Sequence, residues 1–354
     1  MSAGSSASVS VGSQAEGMSV TVPPVLPISV VVPAFRAERF IAEALDSVAA
    51  QTAQPSEVIV VDDGSPDRTA ALARDRRATV IIQDREGVSA ARNAGILASG
   101  QPWIAFLDAD DIWEPRKLEL QWQAVEGCPD LAAVFCDYTE FDAHGPSDRT
   151  FLSWKKNFHA VDRRQIAPGI MLCDERSLQQ QFYKGNFIVP STMLTRRDLL
   201  VQVGLFDPEL THCEDRDCWL RLLAVGRMAV VERSLMRSRV HDSNASSQRL
   251  KMLLGAAKVT ERILANPDCY PPGAAAAYAE GQADIYLSAG RLVDELGDRR
   301  LARRYYLQAW RLGGGLRPLL LTGLSSVPAM TRLARAAKQV ITRSDKTRAD
   351  RARS

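Results

Sequence analysis

The chain has 354 residues, enough to bury a full catalytic core as one large domain with an appendage or as two modest domains. Hydrophobic residues at 46% and charged residues at 24% give an ordinary globular composition, and a formal charge of +2 exerts no global pull toward a polyanion. Six cysteines, Cys128, Cys136, Cys173, Cys213, Cys218 and Cys269, form no Cys-x-x-Cys pair, so neither a zinc knuckle nor a dithiol redox motif is written here.

Residues 1–27, rich in Ser, Gly and Val and ending in Pro23, Pro24 and Pro27, lack apolar periodicity and read as a disordered leader. They hold no basic segment followed by an apolar stretch. No secretory signal is therefore expected, and the thiols read as reduced in a cytoplasmic protein. No run of about 18 apolar residues offers a membrane span. Residues 28–32 are mostly β-branched, Pro33 starts a turn, and 38–51 are amphipathic, which predicts a strand followed by a helix. The unit repeats: strands at 58–61, 79–82 and 103–107 alternate with helices at 67–74 and 89–99. A helix opened by Pro115 and ended by Gly127 leads to a fifth strand at 131–136. This alternation predicts an α/β fold, a Rossmann-like, mostly parallel sheet flanked by helices. Residues 142–180 read as an irregular connection with short helical pieces, and 185–195 as strand-like. From residue 249 the chain is Ala-, Leu- and Arg-rich and reads as a C-terminal helical extension, with an antiparallel pair over 277–312. One pair is too few to establish a repeat. The basic stretch 332–353 reads as a solvated tail, with an anionic membrane surface as the alternative.

In sheets of this class ligands bind beyond the carboxyl ends of the strands. Two such ends are acidic. Asp108, Asp110 and Asp111 follow the apolar run 103–107. One carboxylate would serve as a helix cap, so two are left to explain, and mutual repulsion is relieved by a divalent cation; oxygen ligands favour Mg²⁺ or Mn²⁺. Asp62-Asp63-Gly64-Ser65 taken alone is a plain turn, but at a strand end in the same crevice a carboxylate there can meet a base or ribose. In the segment from His212 to Leu222, Glu214 and Asp215 fall at a helix start. The residues themselves leave two readings level: favourable placement in the helix dipole, or one carboxylate aimed at an acceptor as a general base.

Taken together these motifs resemble family 2 glycosyltransferases with the GT-A fold. The likeness is carried by residues 28–32 with Pro33-Ala34-Phe35-Arg36, by 58–65, and by Gly87-Val88-Ser89-Ala90-Ala91-Arg92-Asn93-Ala94-Gly95. It continues through 107–111, Gly204-Leu205-Phe206-Asp207, Glu214-Asp215-Arg216-Asp217-Cys218-Trp219 and Arg239-Val240-His241-Asp242-Ser243-Asn244. The resemblance implies a catalytic domain over 28–246, with a nucleotide-sugar half at 28–140 and an acceptor half at 141–246. Residues 247–330 are then the helical extension and 331–354 the basic tail. It implies that Pro33, Phe35, Asp63, Arg92 and Asp110 bind the donor and that Asp111, Asp110 and His241 hold the metal. Asn186, Ser191 and Glu214 would line the acceptor side, and Asp215 would be the base. The implied reaction moves a sugar from a nucleotide-diphosphate sugar to an acceptor hydroxyl with inversion. Bacterial polysaccharide or glycoconjugate assembly is the implied setting, at a saccharide, lipid-linked or protein acceptor and with no nucleic acid partner; separately, the charge of the basic C-terminal helices offers a peripheral contact with the inner face of the plasma membrane. Arg36 departs from a frequent Asn, and Cys218 from an apolar residue. A sugar-phosphate nucleotidyltransferase is the rival enzyme, but Pro33-Ala34-Phe35-Arg36 is not a Gly-rich basic phosphate loop; a non-catalytic nucleotide-sugar binding module is the other rival.

Overall fold

The computed structural model describes residues 23–241 and 248–315, together with 318, 320 and 321. The leader up to residue 22, the Asp242-Ser243-Asn244 end of the last motif and the basic tail lie outside the described residues. The centre of the sheet is β1 (Val25–Ala34), flanked in parallel by β2 (Gln54–Asp62) and β4 (Trp103–Phe106), with β3 (Thr79–Ile82) outside β2. Val30 and Val32 join one apolar core and Val31 the other. That is the period-2 alternation of a strand covered on both faces, which is why its sequence is a continuous apolar run. β10 (Leu194–Arg196) pairs antiparallel with both β4 and β6 (Leu131–Asp142), and β6 then pairs in parallel with β11 (Arg227–Arg239). The α/β class and the flanking helices are as expected, and the sheet is mixed beyond β4.

Several boundaries differ from the sequence expectation. β1 begins at Val25, inside the stretch read as leader, because Val25 and Leu26 already pair with Gln54 and Pro55. The connection 142–180 has the expected short helical pieces, Leu152–Trp154, Lys156–His159 and Glu175–Tyr183, but the rest is not irregular. It holds β7 (Gly145–Thr150), folded back on β6, and an antiparallel pair, β8 (Arg163–Ala167) and β9 (Ile170–Cys173), added to β11. Conversely, 185–195 is mostly not strand: Pro190–Thr192 is a short 3-10 turn whose Thr192 hydroxyl donates to the Val189 carbonyl at 2.7 Å. Proline at the first turn position removes the N–H that a sheet ladder would need.

Helix α1 (Ile41–Ala49) packs against α2 (Thr69–Asp75) and the two-residue β5 (Ile112–Trp113), and α4 (Lys117–Gly127) packs on β6 and β11. α3 (Val88–Ala98) lies on β1 and β2, so close that a side chain at Gly95 would collide with Val31. After α5 (Lys156–His159), α6 (Glu175–Tyr183), α7 (Arg197–Gln202) and α8 (Glu214–Leu222), the extension consists of α9 (Arg249–Ala265), α10 (Ala274–Glu295) and α11 (Arg299–Arg311). Its helices are not a separate body: Val259, Ile263 and Tyr278 share one core with Phe106, Phe135 and Trp219. Among the described residues no helix is long and apolar enough to cross a membrane.

Candidate active site

The functional motifs gather where the parallel strands end, because each strand there hands its chain to a connecting loop. β10 runs the other way and starts at that edge, which brings the preceding turn 190–192 beneath the same loops.

The acidic turn 108–111 is the tight connection from β4 to β5, closed by the Asp111 N–H on the Asp108 carbonyl at 3.0 Å. Ser191, completely buried, supports it: its Oγ accepts the Asp108 N–H at 2.9 Å and its hydroxyl also hydrogen-bonds the Asp111 carboxylate. Trp113 in turn donates Nε1–H to the Ser191 carbonyl at 2.9 Å, and the buried Lys117 amine lies 4.0 Å over the Trp113 ring, donating to Gln121 at 2.8 Å. Ser191, expected on the acceptor side, therefore forms part of the foundation under the acidic turn. Asp111 is also buried and takes the Arg239 N–H at 3.3 Å. Burial, then the charges of Asp110 and Asp108, hold its carboxyl well above the usual range.

Asp110 is more open and meets His241 Nε2 at 2.9 Å. Its carboxyl is raised by burial and by Asp108, against the pull of His241. The end of β11 makes this possible. Arg239 donates to the Asp110 carbonyl at 3.2 Å and to Glu43 on α1, and two residues on, His241 stacks on Phe40 with ring centroids 5.2 Å apart. Among the described residues no group of three or more His, Cys, Asp or Glu side chains surrounds a common point. The donor set that fits a divalent ion is the Asp110–His241 pair, an oxygen and a nitrogen that leave most coordination positions to solvent or substrate oxygens. Asp111, the leading metal ligand expected from sequence, occupies a buried place in the turn beside that pair, held by its own hydrogen bonds.

Two of the foreseen donor contacts are likewise built into the protein. Pro33 is buried in the last part of β1 opposite Val61, beyond the point where β4 pairing stops, so its missing N–H costs no ladder bond. Asp63 accepts from Gln83 Nε2 at 2.8 Å, from Glu86 N–H at 2.7 Å and from Gly87 N–H at 3.0 Å. It holds the loop that places the Arg85 guanidinium 4.7 Å from the exposed Phe35 ring. Phe35 is the aromatic surface available at this edge.

Arg92 is buried, with NH1 on Glu214 and NH2 on Asp108, each at 2.8 Å, and its guanidinium 5.3 Å from the Phe206 ring. Burial alone would lower its pKa, but the two carboxylates outweigh that and raise it above the ordinary arginine value. Arg92 thus ties the acidic turn to the start of α8. The Arg92 side chain, expected at the nucleotide, and that of Glu214, expected on the acceptor side, are paired with each other. Arg92→Met leaves Glu214 without its cation, and a loss of about 3 kcal/mol is expected, at the low end for a broken buried pair because Asp108 is partly exposed. The check is urea unfolding: a lowered midpoint with the wild-type slope.

Asp215, in the first turn of α8, is half-buried. Asn186 Nδ2 donates to its Oδ2 at 2.8 Å and the Arg216 N–H to its Oδ1 at 2.7 Å. Burial, then the neighbouring Glu214 charge, push the carboxyl up to about 7, against the Arg216 N–H, Arg92 and Asn186. Tyr138 is buried on β6, and its hydroxyl is raised by burial and then by the charges of Glu140, Asp111, Asp137 and Asp215. Tyr138 was not singled out from sequence, because it lies in the part of β6 beyond its predicted end, and Arg239 was read only as the opening of the last motif, with no task of its own.

A family model described as Glycosyl transferase family 2 matches residues 29–204, which include the acidic turn and stop before α8 and His241. An uncharacterized glycosyltransferase of Rickettsia typhi is 27% identical over 229 residues, covering 64% of this chain and 68% of the relative. Among solved structures, S. aureus TarS 1-349 in complex with UDP-GlcNAc superposes with a TM-score of 0.60 at 17% identity, covering 88% of this chain and 91% of that one. The mannosyltransferase PcManGT from Pyrobaculum calidifontis in complex with GDP-Man and Mn2+ gives a TM-score of 0.55 at 17% identity, covering 91% and 83%. At these identities the two structures show a shared GT-A architecture.

Proposed function

The chain belongs to glycosyl transferase family 2, and from that premise we propose that it is an inverting glycosyltransferase in which Asp215 is the general base. The observation that carries the reading is Asp215 itself. It is a half-buried carboxyl with a pKa of about 7, fixed by two hydrogen bonds and joined to the acidic turn through Glu214, Arg92 and Asp108. A base poised near neutrality can take the proton from an acceptor hydroxyl as the oxygen attacks. The new bond forms at the anomeric carbon while the bond to the diphosphate oxygen breaks on the opposite side, so the configuration inverts. The donor is a nucleotide-diphosphate sugar: TarS was solved with UDP-GlcNAc and PcManGT with GDP-Man. Phe35 offers the base a stacking face, while Asp63 acts by shaping the wall beside it.

Asp110 and His241 would hold Mn²⁺ or Mg²⁺, in keeping with the Mn2+ in the PcManGT complex. When bound, the ion supplies positive charge to the diphosphate oxygens of the leaving group. The acceptor is a saccharide, lipid-linked or protein hydroxyl in polysaccharide or glycoconjugate assembly. The six free thiols suit a cytoplasmic setting. Release of nucleoside diphosphate from a panel of UDP- and GDP-sugars, in the presence of Mn²⁺ and pooled acceptors, is the test. No release from any of them would reject the proposal.

Because the ionised form of Asp215 is the active one, kcat is expected to fall as pH drops through about 7. Asn186→Ala removes a donor that favours the carboxylate, so the acidic limb should move to higher pH and turnover at neutral pH should fall several-fold. A pH–kcat profile for both proteins measures this, and an unmoved limb would exclude Asn186 from tuning the base.

A further inference from the structure

Arg216 follows the base directly, and its two ends do different things. Its backbone N–H holds Asp215 Oδ1. Its guanidinium donates through Nε to Tyr278 Oη at 3.0 Å and through NH2 to the Tyr183 carbonyl at 3.2 Å, and lies 5.0 Å from the Tyr278 ring centroid. Tyr183 ends α6 just before the loop that carries Asn186, the second group on Asp215. One side chain thus fastens together the first turn of α8, the Asn186 loop and α10.

The extension closes on the same turn from another side. α9 comes so near that a Cβ at Gly255 would stand 2.5 Å from the His212 carbonyl oxygen, and Cys213 Sγ approaches the Met252 carbonyl at 3.5 Å. Tyr270 donates to Asp217 at 2.6 Å, and Arg262 pairs with Asp207 and Asp217. Cys213 itself has a left-handed backbone, φ 64, a conformation that a residue with a side chain keeps only where its surroundings enforce it. The turn that carries the base is therefore shaped largely by residues that lie beyond the matched family region.

We infer that the helical extension belongs to the catalytic unit, and that Tyr278 is a positioning residue which sets Asp215 by holding Arg216. This rests on the reading of Asp215 as the base. The charged and titratable groups around that carboxyl are Glu214 on its own helix, Arg92 from α3, Tyr138 from β6, and the Cys213 and Cys218 thiols. Arg216 stands beside the carboxyl on the same helix; of these groups Arg216 and Cys213 also face Tyr278, whereas Glu214, Arg92 and Cys218 are held by other partners.

In the full-length protein, Tyr278→Phe keeps the ring and removes the oxygen. It is expected to lower kcat about tenfold with the donor KM unchanged, and Tyr278→Ala about a hundredfold, as for a reacting group displaced by around an ångström. The acidic limb of kcat should shift upward in both, because the Arg216 N–H no longer holds the carboxylate as well. Tyr286→Phe is the control: it lies on the same helix and its hydroxyl donates to Glu261 at 2.8 Å inside the extension, so kcat and pH profile should stay as in the wild type. If Tyr278→Phe melts early, Arg216→Lys, which keeps the charge but cannot reach both partners, should show the same upward shift. A wild-type kcat and pH profile in Tyr278→Phe or in Arg216→Lys, with Asp215→Asn inactive, would overturn the inference and leave the base intact. Normal turnover in Asp215→Asn would instead remove the premise.

Discussion

Asp215→Asn is expected to lower kcat by about 10² to 10⁴ while leaving donor affinity near the wild-type value. The amide keeps the shape of the carboxyl and can still accept from Arg216, but it cannot take a proton from the incoming hydroxyl. Two controls separate chemistry from damage: nucleotide binding by calorimetry, and a melting temperature close to that of the wild type. Two effects offset each other: the amide escapes the cost of ionising a carboxyl whose folded pKa is raised to about 7, a cost that grows as pH rises from the unfolded value to about 7, but its NH2 meets the Asn186 Nδ2 donor where Oδ2 had accepted. Near-normal turnover in a folded, donor-binding variant would sink the role. Glu214, although adjacent, cannot stand in for it, since its carboxylate is held by Arg92.

The second large effect is expected at the Asp110–His241 pair. Charge stabilisation by a bound divalent ion is worth several kcal/mol, so Asp110→Ala should lower turnover by about 10² to 10³ at fixed metal concentration. Chelation of the wild type should do at least as much, and added Mn²⁺ should restore it. His241→Ala should raise the Mn²⁺ concentration needed for half-maximal rate, since one protein ligand remains. Full activity in excess chelator would take the metal out of the scheme. The structure directs this experiment to Asp110 in preference to Asp111, because Asp111 is enclosed by Ser191, Ser238 and the Arg239 N–H.

Arg92, Glu214, Ser191 and Asp63 show how a motif can be legible in the sequence while the partners of its side chains are not. All four were legible as site residues, and all four lie at or under the site. Each is nevertheless consumed by partners distant in sequence: Arg92 by a carboxylate on α8, Ser191 by an N–H at the end of β4, Asp63 by the loop before α3. Residue type and local spacing say that a charge is wanted; they carry no information about which long-range neighbour will neutralise it. Asn186 and Asp215, expected on the acceptor side and at the base, are likewise joined by a hydrogen bond that local spacing does not announce.

The alternation of β-branched runs with amphipathic stretches, closed by acidic turns, was enough by itself to determine the α/β class and the helical extension, because periods of 2 and 3.6 are local properties of the chain. The antiparallel insertion of β10, the sheet edge of β8 and β9, and the docking of α9 and α10 on the base segment were decided only in three dimensions. Their pairings join residues far apart in the chain, and whether a side chain there faces a neighbour or a substrate depends on what the fold sets opposite it.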